Sequence, residues 1–333
     1  MATTTATTIL DVQNLKTYFK TEYGLVKAAD GVSFYIDQGE IVGLVGESGC
    51  GKSVSILSVM QLIQTPGEII DGKILLEGED LRAFGSNSSE MRAIRGSKMT
   101  MIFQEPMTSL NPVLTVCRQL TETLELHLKL NKQEAREKAI DLLRMVGVPD
   151  PQKRIDDYPH QFSGGMRQRV MIAIALSCNP KVIFADEPTT AVDVTTQAQL
   201  LELMKDLVTR HDSSLVIVTH NLGVVARYAH RIYVMYAGRI IESGLSEDIF
   251  ERPRHPYTIG LLNSVPKLGE HHGARKLIPI NGLPPNLIEM PPNCAFLPRC
   301  SHKFDKCFKE PWPALREVGE KHFISCYADI EGK

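Results

Sequence analysis

Eight residues near the start of the chain combine glycines with a lysine and a serine at a fixed spacing. The stretch runs Gly46-Glu47-Ser48-Gly49-Cys50-Gly51-Lys52-Ser53 and matches the pattern G-x-x-x-x-G-K-[ST]. Its glycines let successive backbone N–H groups turn inward around phosphate oxygens, and Lys52 adds a cation. The Ser53 hydroxyl can ligate Mg²⁺. The pattern predicts that this loop, called the phosphate loop below, binds the β- and γ-phosphates of a nucleotide.

Two adjacent carboxylates form a second candidate for chemistry. Asp186 and Glu187 follow the mostly apolar run of residues 181–185, and Pro188 turns the chain away. Carboxylates at the end of a buried strand are costly unless a cation lies nearby. Asp186 is therefore a candidate ligand of Mg²⁺, directly or through a water. Glu187 is a candidate base that polarises an attacking water. Asp193 follows one turn further on.

Three further polar sites each have a functional interpretation and an ordinary structural one. Gln104 ends an apolar run and could reach a metal or a water, although a single glutamine is usually a surface residue. His220 ends another run and could touch a terminal phosphate, whereas a single histidine is usually structural. Ser163, Gly164 and Gly165 open a helix with a hydroxyl and free N–H groups, which by themselves favour a simple N-cap and a flexible turn.

The elements that must position these groups are those of an α/β fold. Short apolar runs predict buried strands, and one helix is expected directly after the phosphate loop, beginning at Val54. The predicted strands are residues 41–45, 73–76, 99–103, 181–185 and 215–219, and the helix is 54–62. Ligands of a parallel α/β sheet bind at the carboxyl ends of its strands. We therefore expect Gly46, Gln104, Asp186 and His220 on one rim.

Two other regions flank this predicted sheet. Residues 9–38 alternate apolar and polar positions, as antiparallel strands do, with Phe19 expected in the loop between them. Phe19, Tyr18 or Tyr23 could stack on an adenine ring, and an ordinary packing role for these aromatics carries equal weight. Residues 115–147 show helical spacing with mixed charge and predict a helical insertion that ends near Gly147 and Pro149.

Composition sets the limits of the function. The formal net charge of the 333 residues is −2, which gives no electrostatic reason to expect nucleic acid as a partner. No segment approaches 18 apolar residues in succession, so we expect no membrane span. The first residues lack the basic and apolar regions of a signal peptide. The seven cysteines are then expected to be thiols or metal ligands rather than disulfides.

Four of the seven cysteines lie in the last part of the chain. Many prolines after residue 250 exclude long helices there. The four are Cys294, Cys300, Cys307 and Cys326, separated by five, six and eighteen residues. This spacing is neither that of a zinc ribbon nor that of a bacterial ferredoxin. Four thiolates could still converge on one site, with His302 as a substitute ligand or, more simply, a solvated histidine.

The ordered set of motifs over residues 8–250 resembles the ATP-binding subunit of ABC transporters. The resemblance implies a fold with a RecA-like core, an antiparallel β subdomain and a helical subdomain. It implies that Lys52 and Ser53 hold phosphates and Mg²⁺, with Gln104 and Asp186 also at the metal, Glu187 as the base and His220 at the γ-phosphate. In a head-to-tail dimer, Ser163, Gly164, Gly165 and Asp193 would close the nucleotide of the other subunit. The signature departs slightly, with Phe162 first and Met166 last.

Further stretches resemble the subgroup that imports dipeptides and oligopeptides. They are Gln104-Glu105-Pro106-Met107-Thr108-Ser109-Leu110-Asn111-Pro112, Tyr158 to Gly165, Arg254-His255-Pro256-Tyr257-Thr258 and Gly282-Leu283-Pro284-Pro285. Nickel importers and some sugar importers share the subgroup. The resemblance also implies that the four late cysteines hold a four-iron four-sulfur cluster, with zinc or plain reduced thiols as the alternatives.

We therefore predict an ATPase on the cytoplasmic face of the membrane, peripheral to it, that powers peptide uptake. Its expected partners are a second, related ATPase as a heterodimer, two transmembrane permease subunits and an extracytoplasmic peptide-binding protein, with no nucleic acid. Residues 1–250 would form the nucleotide-binding domain, with its helical subdomain at about 105–178, and 251–333 a small Cys/Pro-rich extension. The rival hypotheses are a soluble ABC protein that acts on ribosomes or DNA, and a redox-sensing regulator.

Overall fold

The chain contains both strands and helices along its length. The structure is a computed structural model that describes residues 7–189, 193–264, 279–288, 290–328 and 330. The strands are β1 (Thr8–Thr21), β2 (Gly24–Asp37), β3 (Ile41–Val45), β4 (Gly67–Leu76), β5 (Glu79–Asp80), β6 (Met99–Ile102), β7 (Val182–Asp186), β8 (Ser214–Thr219), β9 (Arg231–Tyr236), β10 (Arg239–Leu245), β11 (Arg316–Gly319) and β12 (His322–Ile324).

Helices connect these strands. They are α1 (Lys52–Val59), α2 (Ser89–Ile94), α3 (Pro106–Ser109), α4 (Val116–Leu128), α5 (Lys132–Met145), α6 (Pro151–Arg154), α7 (Gly164–Leu176), α8 (Val194–Arg210), α9 (Leu222–Tyr228), α10 (Ser246–Glu251), α11 (Pro256–Asn263) and α12 (Asp305–Lys309). Two compact units emerge from the contacts. Among the described residues, the first unit holds 7–9, 36–40 and 81–217, and the second holds 10–35, 41–80 and 218–330.

A four-stranded sheet in the order β2-β1-β4-β5 lies almost wholly in the second unit. β1 runs antiparallel to β4, with Leu10 opposite Leu76, and its register shifts between Gln13 and Thr17. Phe19 lies inside β1 and not in a loop, so that part of the prediction is wrong. The reason is the register shift, a bulge that interrupts the alternation from which strand ends are recognised.

The second unit also contains strands in the order β11-β12-β10-β9-β3. β3 and β9 are parallel, while β9, β10, β12 and β11 pair antiparallel in succession. Glu242 of β10 lies opposite Ile324 of β12, so the cysteine-rich end of the chain extends this sheet. Among the described residues after 250, the helices have at most eight residues, and the two short strands were not predicted.

The first unit carries the strand order β8-β7-β6 and most of the long helices. β6 and β7 are parallel, with Ile102 opposite Ala185. The predicted helical insertion is present as α4 and α5, which pack against each other and against α7. Asn131 starts α5 with a capping box to Glu134. The strand and helix pattern positions two groups of polar residues, one in each unit.

Candidate nucleotide site

The phosphate loop connects β3 to α1, as its sequence predicts. All five residues of β3 are buried. Gly46 and Gly51 have no room for a side chain, because an added Cβ would lie 2.2 Å from the Met235 carbonyl oxygen and 2.0 Å from the Ala28 carbonyl oxygen, respectively. Gly51 also has a φ of 104°, which favours glycine. These two glycines therefore allow the loop to lie against the backbone of its neighbours.

Lys52 organises the loop from within. Its Nζ atom is buried and donates to the carbonyl oxygens of Gly46 at 2.7 Å and Glu47 at 2.9 Å. Ser48 and Gly49 are exposed at the tip, and Ser53 and Val54 are half-buried in the first turn of α1. A cation, glycine backbone and a helix start in one place are what a phosphate group requires.

The three aromatic candidates for adenine stacking differ in their surroundings. The Tyr18 hydroxyl donates to Asp30 at 2.5 Å, and burial together with this carboxylate raises the pKa of Tyr18. Tyr23 is 85% exposed at the turn after β1. Phe19 is half-buried and packs close to Gly67, where an added Cβ would lie 2.4 Å from its ring. Adenine stacking on Phe19 stays a prediction.

The acidic pair lies at the end of β7 in the first unit. Asp186 is its last residue and is 6% exposed. Glu187 follows with a φ of 43°, a backbone conformation that non-glycine residues seldom adopt. Gln104 Nε2 donates to Glu187 Oε2 at 3.0 Å. A strained backbone that carries a hydrogen-bonded carboxylate is typical of a functional position.

The Ser-Gly-Gly segment begins α7 in the same unit. Ser163 is the N-cap, and its Oγ accepts from the Met166 N–H at 3.4 Å. Gly165 packs on Thr196, whose methyl group would lie 3.1 Å from an added Cβ. Asp193 accepts from the Thr196 N–H and hydroxyl at 3.0 and 2.7 Å, and these bonds lower the pKa of Asp193. The residues expected to act on a partner's nucleotide thus lie side by side.

His220 belongs to the second unit, with the phosphate loop. It is exposed and directly follows β8. The structure therefore groups Gln104, Asp186 and Glu187 in one unit and the phosphate loop with His220 in the other. The common rim for all of them stays a prediction.

The four late cysteines line one cavity of the second unit, which has about 350 Å³ of space including its opening. Its other walls are mostly apolar, among them Phe296 and Leu297. Burial raises the pKa of Cys294 and of Cys326 to about 11 each, and the neighbouring cysteines add to the rise. No group of three or more histidine, cysteine or acidic side chains in the described ranges is arranged to hold a metal ion.

Sequence reasoning missed two contacts to the phosphate loop. Arg299 makes a two-pronged ion pair with Glu47, and the Tyr257 hydroxyl accepts the Glu47 N–H. Glu47 and Arg299 lie 252 residues apart, and no pattern joins residues at that separation. The one available signal was that Tyr257 belongs to a stretch typical of peptide importers, which gave no reason for its role.

Comparison with known proteins identifies the chain. The family model described as "ABC transporter" matches residues 29–190. The oligopeptide transport ATP-binding protein AppD of Bacillus subtilis (strain 168) is 53% identical over 322 residues, 96% of each chain. The chain belongs to the ABC transporter family. Its family prediction is confirmed, and the family's cassette is an ATPase that uses ATP and Mg²⁺.

Other relatives agree with this assignment. The dipeptide transport ATP-binding protein DppD of the same Bacillus strain is 49% identical over 320 residues, covering 96% of this chain and 94% of its own. A model of the oligopeptide/dipeptide transporter C-terminal region matches residues 241–307. A dimeric ATP-binding cassette bound to ADP and Pi in a post-hydrolysis state is 27% identical, with a TM-score of 0.64 over 71% of this chain and 98% of that one.

These comparisons confirm the predicted ABC-type fold. They give no support for a four-iron four-sulfur cluster. Within the described ranges, the helices are all too short or too polar to cross a membrane.

Proposed function

We propose that this ABC ATPase powers the uptake of di- or oligopeptides. The observation that supports the substrate class is the C-terminal match, because residues 241–307 match the model of the C-terminal region of oligopeptide/dipeptide transporters. The relatives at about half identity are named as oligopeptide or dipeptide transport ATP-binding proteins. Nickel or another small solute is the alternative cargo.

The roles of the site residues follow from their chemistry. The phosphate loop and Lys52 bind the phosphates, and Ser53, Gln104 and Asp186 would hold Mg²⁺. When bound, the ion would supply positive charge that neutralises the phosphates. Glu187 takes a proton from the attacking water, and the Gln104 amide keeps its carboxylate oriented. His220 approaches the γ-phosphate.

Two cassettes act together in this proposal. ATP binding closes a dimer in which Ser163, Gly164, Gly165 and Asp193 complete the partner's site, and hydrolysis reopens it. We propose a related ATPase as the second cassette, with two membrane permeases and an extracytoplasmic binding protein. Phe103, directly before Gln104 in the sequence, is 42% exposed, and Val113 in the loop after α3 is 76% exposed; both apolar side chains suit a permease contact. The chain then lies on the cytoplasmic face of the membrane.

We propose that the chain divides at residue 250, with the nucleotide-binding domain before it, a helical subdomain at about 105–178, and the extension after it. For the extension we propose a thiolate-bound four-iron four-sulfur cluster on Cys294, Cys300, Cys307 and Cys326. Their shared cavity supports this, as does the His302 N–H, which lies 3.3 Å from Cys300 Sγ. Hydrogen bonds to the sulfurs of such clusters tune their reduction potential.

Metal analysis tests the cluster. Protein purified without oxygen is assayed for iron, sulfide and zinc, and its visible spectrum is recorded. About four irons per chain with equal sulfide support the cluster. One zinc without colour replaces the cluster by a zinc site, and no metal means that the four cysteines are reduced thiols.

Peptide uptake tests the transport function. A strain that carries Glu187→Gln in this chain is compared with its parent for uptake of labelled dipeptides, oligopeptides and nickel. Loss of peptide uptake alone supports the proposal, and loss of nickel uptake alone reassigns the cargo. A translation or DNA-repair defect with normal uptake would replace it by the soluble ABC hypothesis.

A further inference from the structure

One residue of the phosphate loop is held by two side chains from the C-terminal part of the second unit. Arg299 contacts Glu47 as a fork, with Nη1 2.7 Å from Oε2 and Nη2 2.9 Å from Oε1. The Tyr257 hydroxyl accepts the backbone N–H of Glu47 at 2.8 Å. Both the side chain and the backbone of Glu47 are therefore fixed from outside the loop.

Glu47 is also central to the shape of the loop. Its carbonyl oxygen accepts from Lys52 Nζ at 2.9 Å and from the Cys50 N–H at 3.3 Å. A shift of Glu47 would move the lysine that the phosphates need and the turn that directs the loop N–H groups. The conformation of Glu47 thus sets the conformation of the loop.

Arg299 is itself held in place. Its Nε donates to the Asn281 carbonyl at 3.1 Å, and its guanidinium lies 5.9 Å from the Tyr236 ring centre and 5.8 Å from that of Phe296. The side chain is only 5% exposed, against 26% for Glu47. A buried fork of this kind is stronger and less screened than a surface ion pair. The contact is therefore suited to holding the loop in one conformation.

Tyr257 packs against the same two aromatic rings as Arg299. Its ring centre lies 4.7 Å from that of Tyr236 and 5.4 Å from that of Phe296. Arg299 ends a single 3₁₀ turn, Leu297–Arg299, and Cys300 follows directly. The two groups that hold Glu47 are thus joined through aromatic packing to the cysteine cavity.

We propose that Arg299 and Tyr257 are positioning residues of the nucleotide site. They hold Glu47 so that the phosphate loop keeps the conformation that accepts phosphates. The part of the chain that contains Tyr257 and Arg299 thereby sets the affinity for nucleotide. When a binding shape is only partly populated, the apparent Kd rises in inverse proportion to that population. The inference rests on nucleotide binding at this loop, which the proposed function requires.

Calorimetric titration of the purified full chain with ADP, and then with ATP and Mg²⁺, tests the proposal. Arg299→Gln should raise the Kd for both nucleotides by about tenfold, because both carry the β-phosphate, and Tyr257→Phe by about threefold. Arg299→Lys should restore part of the affinity. In ATPase assays the KM for ATP should rise by a similar factor, while kcat at saturating ATP changes by less than about twofold.

Arg316→Gln is the matched control. Arg316 also lies in the C-terminal part of the second unit, and it donates to the carbonyl oxygens of Cys326 and Ala328, each at 3.1 Å. This variant should keep the wild-type Kd. A purely structural effect of Arg299→Gln would instead lower the number of nucleotides bound per chain and leave the Kd unchanged, which would contradict the proposal.

Two other outcomes overturn it. Wild-type affinity in both folded Arg299→Gln and folded Tyr257→Phe would show that Glu47 needs no support. If Arg299→Gln does not fold, wild-type affinity in both Arg299→Lys and Tyr257→Phe has the same meaning. Failure of the unsubstituted chain to bind ADP would refute the nucleotide site itself, a result that differs from wild-type affinity in the variants.

Discussion

Gln104 donates its side-chain amide to the Glu187 carboxylate at 3.0 Å. The two residues follow neighbouring parallel strands, β6 and β7, in which Ile102 lies opposite Ala185. This register brings the two side chains to the same end of the strands, although they are 83 residues apart. In the proposed role of Glu187 as the base, this hydrogen bond would set the orientation of its carboxylate before substrate binds.

Glu187→Gln should abolish most ATP hydrolysis while nucleotide binding persists. The substitution keeps the size of the side chain and removes its ability to take a proton, so the rate should fall by about 10²- to 10⁴-fold. Glu105→Gln is the control, because Glu105 is an exposed carboxylate next to Gln104. Steady-state phosphate release and ADP titration measure the two properties. Equal rates in both variants would show that Glu187 does not act as the base.

Gln104→Glu should produce an ATPase that depends on pH in a new way. The new carboxylate would lie about 3 Å from Glu187, and two such like charges raise the pKa of one carboxyl group. The pKa of one carboxyl group of the pair then lies above its usual range, so activity relative to the unsubstituted chain should be lower at pH 6 than at pH 8. Gln104→Ala, which adds no charge, should show the same deficit at both pH values. A flat profile for Gln104→Glu would mean that the contact is absent during turnover.

His255 should make the fold sensitive to mild acid. It is fully buried, and burial lowers the pKa of His255 to about 4, a shift that the Glu242 carboxylate only partly opposes. Between the unfolded pKa of about 6.5 and about 4, the unfolded chain binds a proton that the folded chain does not. The free energy of unfolding should therefore drop as pH falls through this range, by about 3 kcal/mol in total.

His255→Asn isolates this contribution. His255 Nδ1 accepts the Tyr257 N–H at 3.1 Å as the N-cap of α11, and asparagine can cap the helix without titrating. Urea unfolding at pH 7, 6, 5 and 4.5 should give a smaller loss of stability for the variant. Parallel curves for the two proteins would show that His255 does not titrate in this range.

Glu242→Gln should destabilise the second unit. The carboxylate of Glu242 is 0% exposed, accepts the Arg254 and His255 N–H groups at 2.6 and 3.0 Å, and lies 2.8 Å from His322 Nε2. An amide offers one acceptor oxygen, so at least one buried donor loses its partner, at a cost of about 1 to 3 kcal/mol. Urea unfolding measures the loss, and exposed Glu251→Gln should show none. Equal stability of the two variants would contradict this.

The structural features that the sequence predicted correctly depend on residues that are close together in the chain. The β3–loop–α1 unit and the β7 carboxylates were predictable because an apolar run and the polar residues after it are adjacent in sequence. The helical insertion followed from its spacing. Phe19 was misplaced because the shift in β1 hides the period of two, and a bulge is a property of paired strands rather than of one segment.

Contacts between distant segments were not predictable. The bidentate ion pair between Arg299 and Glu47 forms only because folding brings these two distant segments together. Neither residue lies in a sequence pattern that predicts the other as its partner. The same holds for β11 and β12, which are four and three residues long. Strands this short take their pairing from β10 rather than from their own composition.

The pairing of β12 with β10 has a consequence for shortened forms of the chain. With Ile324 and Phe323 removed, Glu242 and Ser243 of β10 would offer unpaired backbone groups along an apolar strand. Such an open edge is a template for intermolecular strand addition and aggregation. A chain shortened to end before Arg316 should therefore lose solubility whether or not its nucleotide site is intact, so the terminal hairpin serves as a cover that keeps the molecules apart.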